Sequence, residues 1–116
     1  MKRWTETNNP AAGTTCVISV AAAGGSRHVI EQLLVSQRNQ TAAAYTATLT
    51  VRDSSIGGTV LAQQDFLTGA AAMTQGNPQI EVRGLHGNAV VAHFAPPAAS
   101  VTQKITAAGH TEEGPY

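Results

Sequence analysis

The apolar residues of this chain come in short runs, each closed by glycine, proline or asparagine, and the runs recur about every 8–14 residues. That rhythm describes short strands joined by turns. The clearest run is Tyr45–Val51, where Tyr45, Ala47, Leu49 and Val51 fall on one face and Thr46, Thr48, Thr50 and Arg52 on the other. Strict alternation of this kind is a strand buried on one side, and threonine suits its open face.

The other runs follow the same logic. Cys16–Val20 is closed by Gly24-Gly25. Gly57-Gly58 turns into a strand over Thr59–Leu67, whose Gln63-Gln64-Asp65 marks a bulge or an exposed end. After Asn77-Pro78, Ile80 and Val82 alternate with polar neighbours, and His86-Gly87-Asn88 connects them to Ala89–Phe94 as a hairpin. Pro96-Pro97 breaks the chain before a strand over Val101–Ala107. Arg27–Arg38 reads two ways: Val29, Ile30, Leu33 and Leu34 have helical spacing with Ser26 as a cap, or the segment is a strand buried on both faces. The preceding Gly-Gly and the surrounding turn rhythm favour the strand. Ala21–Gly25 and Thr68–Gly76 are Ala/Gly-rich loops.

These elements predict an all-β fold, a two-sheet β-sandwich or jelly roll over residues 14–108, with an extended N-terminal arm (1–13) and a polar C-terminal tail (109–116). Its core would draw on Ile18, Val20, Leu33, Val35, Tyr45, Leu49, Val51, Leu61, Phe66, Ile80, Val82, Val91, Val101 and Ile105. The 116 residues suffice for one domain.

Charge narrows the function. Seven Lys+Arg balance seven Asp+Glu, and charged residues are 12% of the chain, about half the usual share. A weakly charged, neutral surface favours association over repulsion and suits a protein covered in its working state. With no basic stripe to release counterions, nucleic acid is not expected as a partner. No apolar run reaches the roughly 20 residues of a membrane span, and none is expected to bind a membrane. The opening Met1-Lys2-Arg3-Trp4 runs into polar residues and does not read as a secretory signal. Cys16 is the single cysteine, so no internal disulfide can form.

Residues that could carry chemistry are scattered. His28, His86, His93 and His110 show no metal-ligand spacing, although the expected hairpin would bring His86 and His93 near each other. Cys16 sits in an apolar run, as an inert buried thiol does. Ser26, Ser54 and Ser55 lie in turns without a nucleophile elbow, and Asp53 reads as a turn cap. Glu31, Asp53, Asp65, Glu81, Glu112 and Glu113 form no evident acid–base pair. The Gly-Gly steps lack the lysine and helix of a phosphate loop. The chain is therefore expected to have no catalytic residue, no metal and no cofactor.

Aromatic residues are few, and two lie near the ends. Lys2, Arg3, Trp4 and Tyr116 form a basic-aromatic set suited to anchoring the arms on a partner, since Trp, Tyr and Arg are enriched at interface hot spots.

The stretch Gly25-Ser26-Arg27-His28-Val29-Ile30, the Thr-rich alternating strand after it, and the closing Val101-Thr102-Gln103-Lys104-Ile105 with its aromatic-ended tail resemble small β-sandwich proteins encoded among tailed-phage virion genes. The resemblance spans residues 14–108, and within that group capsid decoration (cement) proteins fit best. It implies a non-enzymatic jelly-roll subunit, made in the host cytoplasm, that sits on the capsid exterior and clamps the major capsid protein. Self-association is expected too, as a dimer first and a trimer second. The alternatives are a head–tail completion, tail or fibre-associated virion protein, and a ligand- or carbohydrate-binding sandwich module.

Overall fold

A computed structural model describes residues 2–39, 44–68, 73–76, 81–95, 97 and 99–114, with Tyr45 and 73–76 described as backbone only. Ile80 and Tyr116 lie outside the described residues. Among the described residues nine strands are present: β1 (Lys2–Asn8), β2 (Val17–Val20), β3 (Ser26–Asn39), β4 (Tyr45–Asp53), β5 (Val60–Thr68), β6 (Met73–Gly76), β7 (Val82–Arg83), β8 (Val90–Phe94) and β9 (Val101–Glu113). Among the described residues there is no helix. The segment with helical spacing is the strand β3, 14 residues long.

The pairing is nested. β1 pairs with β9, β2 with β8, β3 with both β6 and β7, and β4 with β5, all antiparallel. The short β6 and β7 share one position, against Val35–Arg38 and Val29–Ile30 respectively. Such a ladder is one long hairpin. It rolls up because β9 also pairs with β3, and β8 with β4. The result is a front sheet in the order β1-β9-β3-β6/β7 and a back sheet in the order β2-β8-β4-β5, the arrangement of a jelly roll.

The two inner faces make the core. Ile18, Ile30, Leu33, Val35, Leu49, Val51, Val82, Phe94 and Ile105 are buried together there, each worth about 1.5–3 kcal/mol relative to exposure. Phe66 meets Phe94 edge to face, with centroids 6.3 Å apart. Ala47, Leu49 and Val51 are all buried, as their alternation requires. Val91 and Val101 are buried as expected, and Val20 and Leu61 pack against the core from its edge.

Several features depart from the sequence expectation, one of them β6, a strand paired with β3 inside the segment expected as the loop Thr68–Gly76. Residues 82–94 do not form a hairpin, because β7 belongs to the front sheet and β8 to the back sheet. The His86-Gly87 turn is instead part of an arch between sheets, so it does not bring His86 and His93 together across a hairpin. The segments expected as arms also contribute strands. Lys2–Asn8 pairs residue by residue with Ile105–Thr111, and β9 runs on to Glu113. A polar sequence serves here because β1 is an edge strand and buries little more than Trp4 and Asn8. Finally, Gln63, Gln64 and Asp65 are exposed but regularly paired, and the bulge of β5 falls at Leu61.

A second bulge sits in β3. Ile30 pairs with Gly109 and Gln32 with Ala108, which leaves Glu31 as the extra residue. The bulge turns the Val29 carbonyl toward β9, where a Cβ on Gly109 would lie 2.0 Å from that oxygen and 2.7 Å from the Trp4 ring. Only glycine fits there.

Candidate functional site

The outer face of the front sheet carries a polar network built from four strands. At its centre is His110 on β9. Its Nδ1 lies 2.6 Å from Glu31 Oε1 and its Nε2 2.8 Å from Glu112 Oε1. Ionised carboxylates only accept, so the protonated ring donates from both nitrogens, one to each carboxylate. Arg3 donates to Glu31 at 3.2 Å, and Arg27 donates to Glu112 through Nε at 3.0 Å and Nη2 at 2.9 Å. Arg83 completes the group, 3.6 Å from Glu112 and 2.6 Å from Glu81.

The electrostatics follow from this geometry. The bonds to Glu112 and Glu31 raise the pKa of His110 above its ordinary value. Glu31 is held below the usual carboxylate range by His110 and then Arg3, and Glu112 by His110 and then Arg27. Neither carboxylate is poised to hold a proton, and both ring nitrogens of His110 are engaged. The arrangement fastens β1, β3, β7 and β9 together through charged groups. Among the described residues, no group of three or more His, Cys, Asp or Glu side chains is placed to hold a metal.

The other histidines are apart. His28 is buried; its Nε2 donates to the Ala21 carbonyl at 2.7 Å, and its Nδ1 lies 2.8 Å from Thr111 Oγ1. His93 accepts from Arg52 Nε at 3.1 Å on the outer face of the back sheet. His86 lies beside Gly114. Cys16 is buried, its Sγ 3.3 Å from the Asn8 carbonyl, and loss of solvent pushes its pKa up to about 11.

Of the residues expected to anchor a partner, Arg3 engages Glu31, and Trp4 packs against the core and meets His28 edge-on at 6.3 Å. Lys2 is exposed on the edge strand, and Tyr116 lies outside the described residues. One open cleft of about 220 Å³ lies beside the bulge, and another of about 240 Å³ beside Arg38 and Lys104. Both are below the usual size of a small-molecule pocket, about 300–1,000 Å³.

A different surface was missed from sequence. The β4–β5 and β7–β8 loops are bonded together at one end of the sandwich: Ser54 N donates to Ala89 O at 2.9 Å, and Asn88 Nδ2 to Asp53 Oδ2 at 3.2 Å. Asp53 N closes the β4–β5 loop on Thr59 O at 2.8 Å, and Ser54 takes a left-handed φ of 69°. Gly58 passes so close that a Cβ would lie 1.7 Å from the Asp53 carbonyl. These braced loops display Ile56 (58% exposed) and Leu85 (49%), with Val60 (45%) at the start of β5. Nothing in the sequence marks the two loops as bonded to each other, since the arch between sheets sets their placement.

The fold thus defines the class of the protein, an all-β jelly-roll sandwich. No protein-family model, no curated protein and no solved structure matches the chain.

Proposed function

We propose that this chain is a non-enzymatic structural subunit of a tailed-phage virion, bound to the major capsid protein on the outside of the head as a decoration protein. The observation that carries the reading is the loop end, where Ile56 and Leu85 are uncovered on loops tied together by hydrogen bonds, with Val60 uncovered where β5 begins. Apolar side chains on a rigid support lose little entropy on docking. The weakly charged, neutral composition and the virion-like sequence texture point the same way. In contrast, the charged groups gathered around His110 on the outer face of the front sheet are satisfied within the chain, so that patch gains less from a partner.

The test uses heads of the phage whose genome carries this gene, stripped of the chain and then mixed with it. The parent protein should bind the heads and raise the temperature at which they release DNA. The pair Ile56→Asp and Leu85→Asp should weaken binding tenfold or more, about 1.4 kcal/mol, while the free protein melts unchanged. Labelling confined to the neck or tail would assign the chain to head–tail completion or the tail instead. Absence from the virion would overturn the proposal.

A further inference from the structure

β1 stands at the end of the front sheet, and no described strand pairs with its outer edge. Its pairing with β9 runs from Lys2 to Asn8 without a register shift, and it contains no proline. A regular, unprotected edge is a template for another strand. We infer that β1 pairs antiparallel with β1 of a second copy, across a two-fold axis at Trp4.

The register follows from symmetry and charge. A two-fold axis through an antiparallel pair must carry hydrogen-bonded pairs onto hydrogen-bonded pairs, which it does only where a residue faces its own copy. Centring on Arg3 or on Glu6 sets like charges opposite each other. Centring on Thr5 requires Asn8, whose side-chain Nδ2 already donates to Val17 O at 2.9 Å and whose backbone carbonyl accepts from Cys16 Sγ. Centring on Trp4 sets Lys2 opposite Glu6 of the second copy, twice by symmetry, and uses only residues 2–6. Lys2 and Glu6 are both exposed and make no ion pair with another described residue. They stand on one side of the strand with Trp4 between them, and opposite charges directly across a strand pair attract. Zero net charge removes the general repulsion that would oppose the pairing.

This dimer does not depend on any capsid. Sedimentation equilibrium should find the parent protein as a dimer. Lys2→Glu and Glu6→Lys should each weaken the dimer tenfold or more, because each sets like charges in both pairs. The double variant Lys2→Glu/Glu6→Lys restores opposite charges and should recover to within threefold, and all four proteins should melt alike. Zero-length carbodiimide coupling should join Lys2 to Glu6 between chains, since within one strand they are roughly 13 Å apart. A parent protein that sediments as a monomer at every concentration, single variants that dimerise as well as the parent, or a double variant as weak as the singles would each overturn the inference.

Discussion

Replacing Gly109 with alanine places one methyl group where the bulge of β3 has closed the space. The new Cβ would stand 2.0 Å from the Val29 carbonyl oxygen, whereas Cβ atoms essentially never approach a heavy atom within 3.0 Å. Relief therefore needs at least 1 Å of movement between β9 and β3, because the obstacle is backbone and no side chain can rotate away. The Trp4 ring, 2.7 Å from the same point, blocks the opposite retreat. Overpacking on this scale costs about 1–3 kcal/mol. Opening the ladder beside the bulge adds about 1 kcal/mol for each hydrogen bond lost. A total of about 3 kcal/mol would lower the melting temperature of a domain this size by about 10–15 °C. Thermal unfolding followed by far-ultraviolet circular dichroism measures it, with Trp4 fluorescence as a local probe. Gly24→Ala is the control. Nothing lies within 4 Å of its Cβ, so it should be neutral or stabilising by about 0.4–1 kcal/mol. A Gly109→Ala protein melting within about 2 °C of the parent would refute the reasoning, because backbone strain of this size must appear in the transition.

The ion network should make stability depend on pH in a defined window. Glu31 and Glu112, lowered from 4.5, stabilise the fold above that pH and lose their effect as pH falls through their lowered values; His110, raised from 6.5, stabilises below that pH and loses its effect as pH rises through its raised value. The destabilisation caused by His110→Gln should thus be greatest between pH 4.5 and 6.5 and shrink on the alkaline side, and a difference in melting temperature that stays constant into alkaline solution would contradict the assignment. Cys16, buried and with its pKa near 11, should resist an aromatic disulfide reagent at neutral pH and react only as fast as the chain opens; rapid labelling of the folded protein would show that the thiol is accessible.

Much of the sandwich was legible in the sequence because one-sided burial writes itself as alternation. β4 is the plainest case, its Ala47, Leu49 and Val51 all turned inward. β3 was ambiguous for a physical reason. The bulge at Glu31 shifts the inward positions from His28 and Ile30 to Leu33 and Val35, and this shift imitates helical spacing. The apparent hairpin at 82–94 failed because a tight turn looks the same whether the chain returns to its own sheet or crosses to the other. β1 was unreadable as a strand because an edge position demands few apolar residues. The network around His110 was invisible for a related reason: Arg3, Arg27, Glu31 and Arg83 reach it only through pairing. Its one local trace is His110 and Glu112, two apart and so on one face if the tail is a strand.

The place of β9 has a consequence for how the protein is made. The last of the nine strands to be synthesised lies inside the front sheet, between the first strand and the third. While the chain is still emerging from the ribosome, β1 and β3 have no common neighbour and half of the core has no floor. Productive folding must wait until residues 101–113 are free, and closing so long a loop makes the final step slow. Chains interrupted before that point would carry unsatisfied strand edges and uncovered apolar faces, which is the condition that chaperones and proteases recognise.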